Sequence, residues 1–287
     1  MLNMWHKLGI LLEMIKFKHS VFALPFALMA VVLAADGLPP LRILFWVIVA
    51  MVGARTAAMT FNRIADKHFD AANPRTAGRA LPAGLVSARE SWLLTLVSSA
   101  AFFLACAMIN RTTLTLAPFA LGLTFFYSLT KRFTWLCHLV LGLALALAPV
   151  GGWAAVTNTL AGYPWALSFG VLFWVAGFDC IYACLDADYD RSAGLYSMPA
   201  ILGRENSFRL AVIFHGIAFI LFTFTGMLMG LNGWYYAGLV VTGAALFYQH
   251  LIVNPQDLSR IRQSFFSMNG LIALTLFCAT CLSLATS

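Results

Sequence analysis

Residues 42–61, RILFWVIVAMVGARTAAMTF, are long and apolar enough to cross a bilayer, and they run directly into Asn62-Arg-Ile-Ala-Asp66-Lys-His-Phe-Asp70. Asn62, Asp66 and Asp70 recur every four residues, so a helix stacks them along one face over two turns. Oxygen ligands on one face suit a hard divalent cation, and Mg²⁺ commonly completes its shell with phosphate oxygens. A solvated helix end is the plain alternative. A second acidic stretch weighs against it: Asp179-Cys-Ile-Tyr-Ala-Cys-Leu-Asp186-Ala-Asp188-Tyr-Asp190 also closes an apolar run. Asp186 and Asp190 are one turn apart, and Asp179 lies seven residues earlier, on the same face and deeper in the membrane. A carboxylate inside a span is costly and marks function. An EF-hand reading of 186–197 fails, because Arg191 stands where Gly is required and Ser197 where a bidentate Glu is. A plain helix C-terminus is disfavoured too, since acids there oppose the macrodipole.

Composition sets the class. Of 287 residues 61% are hydrophobic and 10% charged, against about 25% charged in a soluble domain, which indicates an all-α, polytopic membrane protein. Apolar stretches of roughly spanning length recur at 20–35, 42–61, 92–109, 112–130, 135–156, 165–185, 208–229, 233–252 and 264–285, predicting nine spans in a single domain over 1–287. Met1–Lys18 mixes Trp5, Leu8, Leu11, Leu12 and Ile15 with Lys7, Glu13, Lys16 and Lys18, a pattern expected of an amphipathic surface helix, and no cleavable signal peptide is expected.

The net charge of +7 is explained by topology. With nine spans, Lys7, Lys16, Lys18, Arg63, Lys67, Arg75, Arg79, Arg89, Lys131, Arg132, Arg191, Arg204, Arg209, Arg260 and Arg262 fall on the N-terminal side. Only Arg42 and Arg111 fall opposite, and Arg55 lies within a span. The positive-inside rule then makes the N-terminus cytoplasmic and the C-terminus external. No nucleic-acid partner is needed. Both acidic stretches open into long loops on the cytoplasmic side, 71–91 and 191–207, so the chemistry gathers at one mouth of the bundle. Cys278-Ala-Thr-Cys281 has CxxC spacing but sits in a lipid-length segment without a neighbouring His or charge; small buried residues are expected there, not a redox or metal pair.

Two facing carboxylate rows with cations between them describe a site for Mg²⁺ and diphosphate. Arg75, Arg79, Lys131 and Arg132 are the candidate cations, whereas Arg89, Arg204 and Arg209 read as topology-setting charges. Arg55, seven residues before Asn62, needs an acidic partner such as Asp179 or a polar cavity, where it could hold an aromatic acid's carboxylate. Of the span aromatics Tyr127, Trp153, Trp174, Phe178 and Tyr182, most read as packing residues, and a few could shield a carbocation with their π faces.

With Asn-x₃-Asp-x₃-Asp in one span and Asp-x₃-Asp in another, the chain resembles the UbiA superfamily of intramembrane prenyltransferases. The likeness extends through Arg55-x₆-Asn62, Arg75-Thr-Ala-Gly-Arg79-Ala-Leu-Pro82-Ala-Gly84, Tyr127-Ser-Leu-Thr-Lys131-Arg132, Leu139–Gly152 and Ser197-Met-Pro-Ala-Ile-Leu-Gly203. The resemblance implies a nine-helix bundle in the inner membrane with a cytoplasmic active site, and loops 71–91 and 191–207 as a cap that excludes water. It implies that Asn62, Asp66, Asp70, Asp186 and Asp190 hold two Mg²⁺ ions on a polyprenyl diphosphate, while Arg75, Arg79, Lys131 and Arg132 assist loss of diphosphate. The allylic cation would alkylate a hydroxylated aromatic acid, with Asp179 a candidate base and Arg55, Lys18, Tyr127 and Tyr182 around the acceptor. The branch most resembled acts on 4-hydroxybenzoate in quinone biosynthesis. Phe17-Lys18-His19-Ser20-Val21 replaces the usual Asp-Lys-Pro-Ile-Gly, and Arg63 replaces a common acid. His19-Ser-Val-Phe-Ala-Leu-Pro25, Ala57-Ala-Met-Thr-Phe-Asn62-Arg63 and Trp174-Val-Ala-Gly-Phe-Asp179 are more similar to the branch associated with 1,4-dihydroxy-6-naphthoate and menaquinone. An ion-coupled transporter would need midplane acids and an internal repeat; a CDP-alcohol phosphatidyltransferase would need Asp-Gly-x₂-Ala-Arg. Neither pattern is found.

Overall fold

The apolar runs fold as helices joined by short caps, and in this computed structural model, which describes residues 4–15, 23–261 and 264–287, no strand is present among the described residues. In chain order the helices are α1 (Met4–Met14), α2 (Leu24–Ala35), α3 (Leu41–Ala65), α4 (Lys67–Ala72), α5 (Ala88–Ile109), α6 (Arg111–Thr130), α7 (Cys137–Thr157) and α8 (Trp165–Ala183). A 3₁₀ turn over Cys184–Asp186 leads into α9 (Ala187–Ser192), followed by α10 (Met198–Leu202), α11 (Arg204–Leu228), α12 (Gly233–Ile252) and α13 (Asn269–Ala285).

Local sequence explains the helix starts. Ser87 and Glu90 form a reciprocal capping box on α5, and Asn110 accepts the Thr113 amide at the head of α6. Such caps satisfy amides that have no intrahelical acceptor. The long helices pack as a circuit that follows the chain: α2 touches α3, then α5, α6, α7, α8, α11, α12 and α13 follow, and α13 returns to α2. Outward faces carry exposed Leu93, Leu96, Phe119, Val240 and Phe247, as a lipid-facing surface requires.

Seven of the described helices are long and apolar enough to cross a membrane, the one containing α8 continuing to Ser192. The chain is therefore a multi-pass membrane protein. The expected nine spans exceed that number by α2, whose described part has 12 residues, and by α12, where Trp234, Tyr235, Tyr236, Gln249 and His250 dilute the hydropathy of 20 residues. One further expectation is corrected. Cys278 is exposed and Cys281 partly so, because they lie on the outer side of α13 and not in its packed face. In the stretch expected to lie on the membrane surface, α1 covers Met4–Met14; Lys7 pairs with Glu90 of α5, the buried Met14 and Ile15 pack with Val86, and Lys16 and Lys18 lie outside the described residues.

Candidate active site

The expected row on α3 is built, with a break in it. Helix α3 ends at Ala65, and Asp66 takes a non-helical ψ before α4 resumes. Backbone bonds still run from Asp66 N to Asn62 O (2.9 Å) and from Asp70 N to Asp66 O (2.7 Å), so the four-residue stacking survives. Asn62 Nδ2 donates to Asp66 Oδ2 at 3.0 Å. The second row straddles the 3₁₀ turn that carries Asp186 and the first turn of α9 that carries Asp190. Tyr189 donates its hydroxyl to the Phe69 carbonyl at 2.7 Å, tying the two rows together across 120 residues of chain.

Each candidate cation meets one candidate carboxylate. Arg75 forks onto Asp186, with Nε on Oδ1 at 2.7 Å and Nη2 on Oδ2. Arg79 Nη1 reaches both oxygens of Asp70 at 2.7 and 2.8 Å. Lys131 Nζ lies 2.9 Å from Asp190 Oδ2, which also accepts Ser197 Oγ at 2.8 Å. Arg132 stands 3.8 Å from Asp66 and donates to the Ala65 carbonyl at 2.7 Å. Burial, and then the Asp70 charge, push the Asp66 carboxyl up to about 6, against Lys131, Arg132 and Arg63. Burial lowers Lys131 and Arg75, but their carboxylate partners outweigh it and hold both cations above their ordinary values.

A cavity of about 480 Å³ is lined by Asn62, Asp66, Asp70, Asp179, Asp186, Asp190, Arg55, Arg75, Arg79, Lys131, Arg132, Tyr127 and Tyr182, so every expected site residue among the described ones faces a single space. Lys18 lies outside the described residues. Much of the remaining lining, including Val47, Phe102, Leu116 and Val150, is apolar, with Arg63, Asn73, His138 and Tyr189 among its polar members. Because α6 contributes from Thr113 to Lys131, the cavity extends along most of a helix, roughly 27 Å at 1.5 Å per residue. Trp153 and Trp174 are packing residues of the core. Tyr182 lies under Arg75, with the guanidinium carbon 5.7 Å from its ring centre, which puts it at the charged end.

Two residues escaped the sequence reading. Asn73 donates to Asp186 Oδ1 at 2.9 Å, and His138 Nδ1 lies 2.7 Å from Asp179 Oδ2. The signal for His138 was a titratable side chain inside a lipid-length segment, which is as costly there as Asp179.

The donor set fits a hard cation of the Mg²⁺ kind, since the rows offer only carboxylate and amide oxygens. No three acidic, His or Cys groups among the described residues converge tightly enough to hold a metal by themselves.

Comparison with known proteins agrees with this geometry. The UbiA prenyltransferase family model matches residues 23–271. The chain is 34% identical over 242 residues to a 4-hydroxybenzoate octaprenyltransferase of Vibrio cholerae serotype O1, covering 84% of this chain and 85% of that one. It is 32% identical over 256 residues to the Cronobacter sakazakii protein of the same name, covering 89% and 88%. A UbiA homologue from Aeropyrum pernix superposes with a TM-score of 0.85 at 33% identity, over 92% of this chain and 97% of that one. A UbiA homologue from Archaeoglobus fulgidus bound to DMAPP and Mg²⁺ shares the fold, with a TM-score of 0.75 at 18% identity over 96% and 99%.

Proposed function

The chain belongs to the UbiA prenyltransferase family and is an aromatic prenyltransferase, and from that premise we propose that it transfers a polyprenyl group from polyprenyl diphosphate to a hydroxylated aromatic acid of the 4-hydroxybenzoate type, using Mg²⁺, for quinone biosynthesis. The observation that carries the reading is the pairing of four cations with four carboxylates, Asp70 also having Arg63 at 3.9 Å, at one end of a long, largely apolar cavity. A diphosphate with divalent metal satisfies both partners of every pair at once. The apolar remainder suits the prenyl chain.

Mg²⁺ held by Asn62, Asp66, Asp70, Asp186 and Asp190 would supply Lewis-acid polarisation of the diphosphate. Arg75, Arg79, Lys131 and Arg132, freed from the carboxylates, neutralise charge as the diphosphate leaves. Arg55 binds the acceptor's carboxylate, with Lys18 as a second candidate, and Tyr127 and Tyr182 lie around the ring. Asp179 accepts the ring proton. Loops 71–91 and 191–207 bring Arg75, Arg79 and Ser197 onto the rows, and act as the cap that keeps water from the allylic cation. The basic excess on this end orients the site towards the cytoplasm across the inner membrane, with the C-terminus on the opposite face.

The first-span sequence Phe17-Lys18-His19-Ser20-Val21 and Arg63 favour 1,4-dihydroxy-6-naphthoate as the second acceptor to test. Membranes containing the protein, incubated with Mg²⁺, a polyprenyl diphosphate and each acceptor separately, are expected to form a prenylated product identifiable by mass. Asp66→Ala and Asp186→Ala are expected to abolish it while the protein still inserts; turnover at the wild-type level in either variant removes that carboxylate from the mechanism.

A further inference from the structure

His138 is the second residue of α7 and is 1% exposed, yet both its ring nitrogens are engaged. Nε2 accepts the Met198 backbone N–H at 3.3 Å. A nitrogen that accepts must carry the lone pair, so the imidazole proton sits on Nδ1, directed at Asp179 Oδ2 2.7 Å away. Met198 is the first residue of α10, where an amide has no intrahelical acceptor, so His138 pairs a donor that would otherwise be orphaned. The exposure of the pair is uneven: the Asp179 side chain is 18% exposed and that of His138 only 1%. Asp179 therefore presents the reachable oxygen, and His138 stands behind it.

We propose that His138 is a positioning residue for proton removal: its Nδ1–H clamps Oδ2 of Asp179 and leaves Oδ1 to the acceptor ring. This rests on the prenyl-transfer reading above. In that step the C1–O bond of the allylic diphosphate breaks, its electron pair leaving with the diphosphate. A ring carbon of the acceptor bonds to C1, and the hydrogen on that carbon passes as a proton to Asp179 Oδ1. The carboxyl so formed is still held through Oδ2, and its proton goes to water after the product departs. A carboxylate free to rotate about its side-chain bonds would spend much of its time out of reach of the ring; holding a reacting group in place is worth orders of magnitude in rate.

The clamp also joins the two halves of the site. Adjacent residues of one short segment serve them: Ser197 Oγ bonds Asp190 in the diphosphate half, and Met198 N bonds His138 in the acceptor half. The Tyr196 amide donates to the Lys131 carbonyl at 2.6 Å and anchors the segment.

The test uses the full-length protein in proteoliposomes with Mg²⁺, a polyprenyl diphosphate and 4-hydroxybenzoate or 1,4-dihydroxy-6-naphthoate, reading prenylated product and released diphosphate separately. His138→Leu is expected to lower kcat for transfer by ~10²-fold, with KM for the prenyl diphosphate within about threefold and slow hydrolytic release of diphosphate retained, because the cation–carboxylate end is untouched. His138→Gln, whose amide keeps a donor for Asp179, is expected to recover about tenfold of that loss. In an Asp179→Asn background His138→Leu is expected to cost nothing more, since the two act as one unit. Wild-type transfer by His138→Leu, parallel loss of diphosphate release and transfer, no recovery by His138→Gln, or full additivity with Asp179→Asn would each overturn the assignment of His138 alone. Absence of transfer by the wild-type protein to either acceptor would instead overturn the prenyl-transfer reading, and the role of His138 with it.

Discussion

Replacing Lys131 with methionine separates what a site cation does for stability from what it does for turnover. Lys131 Nζ sits 2.9 and 3.2 Å from the two Asp190 oxygens, and the Asp190 side chain is 2% exposed. Without the ammonium, that carboxylate keeps only the Ser197 hydroxyl among the partners identified. The Lys131 side chain is itself 34% exposed, so the contrast rests on the buried carboxylate, and removing its partner costs at most the ~3–5 kcal/mol of a fully buried pair, mostly from the charge left behind. Arg132 and Asp66 make the contrasting pair: 3.8 Å apart, with side chains 38% and 29% exposed, they are worth ~0–1 kcal/mol. Two double-mutant cycles in metal-free detergent micelles, one with Lys131→Met and Asp190→Asn and the other with Arg132→Met and Asp66→Asn, measure the difference by equilibrium unfolding. Coupling of about 2 kcal/mol is expected at Lys131–Asp190 and under about 0.5 kcal/mol at Arg132–Asp66. Prenyl transfer is expected to fall in both single cation variants, because both cations face the same cavity. Equal coupling energies in the two cycles would refute the reasoning from burial.

Arg75→Lys keeps the charge but loses the fork on Asp186, and diphosphate release is expected to slow by ~10²–10³-fold, since an ammonium cannot replace the planar donor pair; a change below tenfold in a steady-state assay would show that charge alone suffices. Mg²⁺ alone is expected to raise the unfolding midpoint little, and Mg²⁺ with a non-hydrolysable prenyl diphosphate analogue to add ~2.7 kcal/mol at a hundredfold excess over Kd. Equal stabilisation by the metal alone would mean that a protein-only cage exists. Gly152→Ala would drive a Cβ into the Ala27 carbonyl of α2 and is expected to destabilise by ~1–3 kcal/mol. Gly216→Ala, with nothing within 4 Å, serves as the neutral or mildly stabilising control in the same thermal unfolding assay.

Much of this protein is legible from local pattern alone. Membrane spans follow from apolar runs because lipid leaves the backbone no partner but itself, and seven of the described helices meet that standard. The two carboxylate rows follow from four-residue spacing, because i and i+4 share a helix face whatever surrounds them. Lys and Arg counts locate the charged end for the same reason: each is a property of a segment, not of a contact. Pairings are of another kind. Arg75 meets Asp186 across 111 residues, and Lys131 meets Asp190 across 59. His138, which no spacing pointed to, reaches the Asp179 carboxylate across 41 residues. The break at Asp66 and the 3₁₀ turn before α9 had no marker in spacing either. Which cation neutralises which acid, and which histidine tautomer stands behind Asp179, depend on helices that approach only when the circuit from α2 to α13 closes, because the energy of a charge pair depends on distance and burial, and no linear pattern of residues carries either.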